Sequence, residues 1–156
     1  MPLPIRFDFL LAGCANPNLA FSQKFKPTHQ FHNTAVNPDA VITRHAIRID
    51  ATNIETLFST CEVIIEAFDD AASKALLFSK YMNSEKLLVG VSGIAGIGQS
   101  ERITVRKIRK NCFIVGDESS AVSDLKKPYA PRVMVAAAKM ADLILSRVLA
   151  GTSLSG

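Results

Sequence analysis

Cys61-Glu62-Val63-Ile64-Ile65-Glu66-Ala67-Phe68, ending in Asp69-Asp70, is the stretch on which the fold turns. A compact apolar run of this kind suits a strand covered on both faces, as in parallel sheets, where alternation with polar residues is lost. Ala71 to about Met82 follows with strong helix formers, and Ala72, Ala75, Leu76, Ser79 and Lys80 fall at helical spacing. Lys86-Leu87-Leu88-Val89-Gly90-Val91 is the next buried strand. A strand, a helix and a second buried strand in that order predict parallel pairing through a crossover, with ligands at the carboxyl ends of the strands. Asp69, Asp70, Ser92 and Gly93 all fall at such ends.

Working toward the amino terminus, Val41 to Ile49 is rich in β-branched residues. Val41, Thr43, His45, Ile47 and Ile49 share one face at period two, which predicts a further strand. Thr52-Asn53-Ile54-Glu55 has the spacing of a capping box and predicts a short helix through about Phe58. Residues 1–35 read differently: Pro2, Pro4, Gly13, Pro17 and Pro27 punctuate short apolar pieces with no sustained period. They form an irregular segment ahead of an α/β domain over 36–156. Leu10-Leu11-Ala12-Gly13-Cys14 has the outline of a lipoprotein cleavage box, but Asp8 leaves only Phe9 to Ala12 before the cysteine. A signal needs about 7–15 apolar residues, so a short buried strand or loop is expected there.

Toward the carboxyl terminus the pattern changes. Arg102 to Ile108 and Cys112 to Val115 are two short strands separated by basic turn residues, and predict an antiparallel pair. A loop from Glu118 to Ala130 leads to Pro131, which suits a first helical turn. Val133, Ala136, Ala137, Met140, Leu143, Ile144 and Val148 then recur at three and four until Gly151, predicting a helix apolar enough to be mostly buried. The composition agrees with one globular domain: 156 residues, 48% hydrophobic and 21% charged, with a net charge of +4 that names no partner. Cys14, Cys61 and Cys112 include no CxxC pair, so neither a disulfide framework nor a zinc site is indicated, and a reducing cytoplasm fits. The apolar stretches are too short to span a membrane.

Gly93-Ile94-Ala95-Gly96-Ile97-Gly98 follows a strand, but a phosphate loop has to open a helix, and Gln99-Ser100-Glu101 leads into strand-like sequence instead. A flexible hairpin connection is expected. Asp69 has two readings: it or Asp70 caps the following helix, or Asp69 holds Mg²⁺ against a nucleotide phosphate. His29 and His32 lack nearby cysteines and read as surface or core residues. Arg102, Arg106, Lys107, Arg109 and Lys110 alternate without aromatics and read as a solvated strand face rather than a nucleic-acid surface.

Several of these segments together resemble one family. Asn37-Pro38-Asp39, Glu66-Ala67-Phe68-Asp69, Ser92-Gly93-Ile94-Ala95-Gly96, Ile114-Val115-Gly116-Asp117 and Ala130-Pro131-Arg132-Val133 resemble, in one register, ThiF-type adenylyltransferases, which group with MoeB-like and ubiquitin-activating enzymes. The resemblance implies an incomplete Rossmann-like three-layer α/β fold, with a mostly parallel sheet, an added antiparallel strand pair and a carboxyl-terminal apolar helix. It implies ATP and Mg²⁺, no zinc and no NAD, and adenylation of the carboxyl-terminal glycine of a small ubiquitin-like sulfur carrier, ThiS-like, in thiamin thiazole synthesis. By the same resemblance Asp69 is the catalytic and Mg²⁺-ATP aspartate, Lys74 is the basic residue on the following helix, and Lys24 or Lys26 is the ATP lysine. The family's GxGGxG loop has no match in residues 1–35. The chain therefore reads as the later two-thirds of a family member, weak or inactive alone, or as a non-catalytic carrier-binding module. A homo-oligomer is expected, through the last helix or an open sheet edge.

Overall fold

The structure is a computed structural model that describes His45 and residues 47–68, 70–120 and 127–152. Residues 1–35, with Lys24, Lys26 and the Leu10–Cys14 stretch, lie outside the described residues, as does Asp69. In chain order the elements are α1 (Ile54–Leu57), β1 (Val63–Glu66), α2 (Ala71–Tyr81), β2 (Leu87–Val91), a 3-10 turn (Ser100–Arg102), β3 (Thr104–Arg109), β4 (Cys112–Gly116) and α3 (Ala130–Thr152). By contact density the described chain divides into two units. One comprises residues up to Cys61 with Phe68–Leu76, the other Glu62–Ala67 with residues from Leu77 onward.

The second unit carries a four-stranded sheet of order β1-β2-β4-β3. β1 pairs with β2 and β2 with β4 in parallel, Val63 opposite Leu87 and Val89 opposite Phe113, while β3 runs antiparallel to β4. The mostly parallel sheet with an antiparallel pair is thus as the sequence indicates, and the architecture is Rossmann-like. Period two puts Val63, Ile65, Leu87, Val89, Val91 and Val115 on one sheet face. On that face Val89, Ile103 and Val115 form a core with Ala136, Met140 and Ile144 of α3. Arg147 of α3 also lies over the Phe113 ring, 4.9 Å from its centroid. On the opposite face the Phe78 ring of α2 and the Glu66 carboxylate close over Gly90, where a Cβ would meet them at 2.6 and 2.9 Å. Strands covered on both sides explain why the apolar runs of β1 and β2 do not alternate.

In the first unit Ile49, Ile54, Phe58 and Cys61 are buried. Asp70 begins α2: its Oδ2 accepts the Ser73 amide at 2.8 Å and the Ser73 hydroxyl at 2.7 Å, so the capping role belongs to Asp70.

Four expectations need correction. His45 and Ile47 to Ile49 are not in a strand. The Asn53 amide donates to the Arg48 carbonyl and its Oδ1 accepts the Asp50 N–H, and such local side-chain bonding competes with strand pairing. The capping box is not formed either. Thr52 turns its hydroxyl to Asp50 Oδ1 at 2.6 Å, the same oxygen accepts the Thr52 and Asn53 amides, and Asn53, the N-cap of α1, makes no side-chain capping bond. The Gly93–Gly98 segment is not a hairpin connection, since β4 lies between the strands it joins, β2 and β3. Finally, α3 is buried on one side only: Met134, Leu145 and Leu149 are exposed.

Candidate functional site

Three parallel strands deliver their carboxyl ends to one edge of the sheet: Glu66 ends β1, Val91 ends β2 and Gly116 ends β4. The residues just beyond β2 and β4 are bound together there. Ser92 donates its amide to Val115 O at 3.0 Å and accepts the Glu118 amide at 3.3 Å, and the Asp117 amide donates to Gly93 O at 3.1 Å. Ala95 and Gly96 donate to the carbonyls of Ser120 and Lys127 at 3.1 and 2.8 Å.

The centre of this arrangement is an ion pair, Asp117 with Arg132, whose side chains are 3% and 4% exposed. Arg132 Nη2 donates to Asp117 Oδ2 at 2.6 Å. Its Nη1 donates to the carbonyls of Gly98 and Gln99 at 2.9 and 3.2 Å, and Nη2 also reaches Gly93 O at 3.4 Å. One guanidinium thereby holds both ends of the glycine-rich loop, a task for which its planar fork of donors is suited. Asp117 Oδ1 accepts the amides of Ser119 and Ser120 at 2.9 and 2.7 Å, and Oδ2 accepts the Ser120 hydroxyl at 2.6 Å. Burial alone would raise the Asp117 pKa. The Ser120 hydroxyl and amide, the Ser119 amide and Arg132 outweigh it and hold the carboxyl far below the ordinary carboxylate range. With both oxygens occupied, Asp117 is an anion at neutral pH that shapes the loop rather than a base or a metal ligand.

Lys74, expected as the basic residue of α2, lies in its first turns, half-buried, with its amide bonded to Asp70 O at 3.1 Å. Of the basic run, Arg106 on the exposed strand β3 pairs with Glu118, Lys110 just beyond β3 pairs with Glu85 at 3.1 Å, and Arg102 in the 3-10 turn donates to Gln99 Oε1 at 3.0 Å. Among the described residues no group of three or more His, Cys, Asp or Glu could hold a metal ion, and no helix is long and apolar enough to cross a membrane.

The ion pair was not visible as a motif. One signal does point to it: positions 132, 136, 140 and 144 form the buried row of α3, and the first of them is an arginine. A charge in an apolar row needs a buried partner, and Asp117, directly after an apolar strand, is a candidate by position.

No family model matches the chain, and no curated protein does. Among solved structures, the chain is similar to E. coli tRNA N6-threonylcarbamoyladenosine dehydratase, TcdA, determined in complex with ATP, with a TM-score of 0.65 and 16% sequence identity. The similarity covers 81% of this chain and 64% of that one, so the chain spans less than two-thirds of that structure's length. At this identity the likeness shows the fold.

Proposed function

We propose that this protein is an ATP-dependent adenylyltransferase domain of the ThiF type, acting on the carboxyl-terminal glycine of a small ubiquitin-like sulfur carrier in thiamin synthesis. The observation that carries the proposal is the likeness of fold to a protein solved with ATP, joined to the ThiF-like segments at the carboxyl ends of β1, β2 and β4. In the reaction a carboxylate oxygen of the carrier attacks the α-phosphorus of ATP, the bond to the β-phosphate oxygen breaks, and pyrophosphate leaves. Asp69 is proposed as the carboxylate that positions Mg²⁺-ATP. Mg²⁺ is commonly held by one or two carboxylates together with substrate phosphates, so a single aspartate beyond β1 fits that donor set. The metal would neutralise phosphate charge. Lys74 and one of Lys24 or Lys26 are proposed to add positive charge toward the triphosphate, and Arg132 with Asp117 keeps the adjoining loop in one shape for docking the carrier.

A second reading, carrier binding without adenylation, is favoured by one observation. The amides of Ala95 and Gly96 are already bonded to Ser120 and Lys127, and the sequence contains no GxGGxG stretch that would supply other amides to the phosphates. Calorimetric titration with Mg-ATP and pyrophosphate exchange with a ThiS-like carrier separate the two. Adenylation requires exchange above background that Asp69→Asn lowers by at least about tenfold, a loss of about 1.4 kcal/mol of transition-state stabilisation. Carrier binding with no exchange selects the second reading, and exchange unchanged in Asp69→Asn removes Asp69 from the mechanism.

A further inference from the structure

The sheet edge opposite the Asp117–Arg132 pair, where β2 and β4 begin, bears a cleft. On one wall is the chain after α2, Met82 to Glu85, and on the other the β3–β4 turn, Arg109 to Asn111, with about 140 Å³ between them. Hydrogen bonds fix the two walls against each other. Lys110 Nζ pairs with Glu85 Oε2 at 3.1 Å, Asn111 Nδ2 donates to Glu85 O at 2.9 Å, and the Leu88 amide donates to Asn111 O at 2.8 Å.

The charges that line the cleft do not cancel. Glu85 is matched by Lys110, whereas Arg109 donates only to the neighbouring Ile108 carbonyl, through Nη1 at 3.0 Å, and is in no ion pair among the described residues. One exposed guanidinium is left over, and the rest of its planar fork suits two oxygens of one phosphate or carboxylate. The carboxyl end of α2 would oppose an anion through its carbonyls, but those nearest the cleft are covered. The Ser84 amide and hydroxyl donate to Tyr81 O at 3.0 and 2.8 Å, and the Met82 amide donates to Phe78 O at 2.9 Å. Asn83, exposed on the wall facing Arg109, carries a side-chain amide that can donate to the same ligand. Size narrows the choice further. Pockets that bury a whole drug-sized ligand run to about 300–1,000 Å³, so this cleft admits an oxyanion group rather than a nucleotide. A phosphate group offers three acceptor oxygens, one more than a carboxylate, and can meet Arg109 on one wall and Asn83 on the other at once.

We propose that this cleft binds a phosphate group, free or as a monoester, between Arg109 and Asn83, on the sheet edge away from the Asp117–Arg132 pair. The site needs neither nucleotide nor carrier, so it stands or falls independently of the adenylation reading.

Calorimetric titration of the full chain with inorganic phosphate, at constant ionic strength and without nucleotide, tests it. Saturable binding with a Kd of about 1 mM or tighter is expected. Arg109→Gln should weaken it at least about tenfold, and Asn83→Leu, which keeps every charge but fills the cleft, should do the same. Lys107→Gln removes an exposed charge of β3 that does not line the cleft, and should change the affinity by less than about twofold. All three positions are exposed, so the far-UV spectrum and the urea midpoint should stay those of the wild type. Glycerol phosphate should displace inorganic phosphate and acetate should not, and the tighter of the two phosphates identifies the form that the site takes. Binding that is lost equally in Lys107→Gln marks a diffuse field of positive charge and overturns the proposal. Binding indifferent to Arg109→Gln or to Asn83→Leu, displacement by acetate, or no saturable binding overturns it as well.

Discussion

Arg132 stands where the period of α3 calls for an apolar side chain, and it is tolerated because four acceptors meet it inside the protein. They are the carbonyls of Gly93, Gly98 and Gln99 and the charged carboxylate of Asp117. Removing one member of a buried pair strands the other charge, at a cost of about 3–5 kcal/mol. Asp117→Asn is therefore expected to lower the stability measured by urea unfolding at pH 7 by that order. The pH dependence follows from the direction of the shift. The folded Asp117 pKa lies below the unfolded value of about 3.9, so the native state holds fewer protons than the unfolded state in that range. Its contribution is complete above about pH 4 and is lost as the pH falls through the folded value. Unfolding midpoints at pH 7, 4 and 3 check this: the gap between wild type and Asp117→Asn should narrow on acidification, and a constant gap would mean that Asp117 does not carry it.

The same edge can be probed at the scale of its connecting elements by two glycines. Gly116 closes β4 at φ +150°, and a Cβ there would lie 1.5 Å from the Ser92 carbonyl oxygen. Ser92 cannot retreat without giving up its own bond to Val115. Gly98 has φ +66° with nothing within 4 Å of a built Cβ, so alanine there meets only the backbone penalty of about 1–2 kcal/mol. Gly98→Ala should fold with its stability lowered by that amount, whereas Gly116→Ala should lose at least about 4 kcal/mol. Equal losses in thermal melts would show that the β2–β4 end relaxes freely. The elements themselves differ in how plainly the chain spells them. β1, β2 and β4 were legible because strands covered on both faces cannot alternate, and β3 because its basic residues face water. The exposure of Met134, Leu145 and Leu149 was not, since helical period says where apolar residues lie and not what covers them. The site was legible as a sheet edge, through Ser92, Gly93 and the Gly116-Asp117 stretch, but not as an Asp117–Arg132 pair, because the partners lie on separate elements. Asp70 and Ser73 show the limit from the other side: a cap was foreseeable, and which of two aspartates provides it was not.

For the molecule as a whole, Cys112 serves as a reporter, since it sits in β4 between two other strands and is 1% exposed. Burial pushes its thiol above the ordinary pKa, with Arg109 opposing, and the reactive species is the thiolate. In a Cys14→Ser, Cys61→Ser protein, labelling of Cys112 by a disulfide reagent should be slow in buffer and rise with urea in step with global unfolding. Rapid labelling in buffer would mean that the β3–β4 pair opens on its own. The position of β4 also governs how the chain is made. β2 acquires its second neighbour not from the next strand synthesised but from the one after it, because β3 is passed over and β4 takes the inner place. During translation the Leu88–Val91 edge therefore stays unpaired until the ribosome has added everything through Gly116, an interval of a few seconds at about 5–20 residues per second. Over that interval the nascent chain offers its most apolar strand to neighbouring polysomes, and a slow codon cluster between Ser92 and Asn111 would lengthen the exposure.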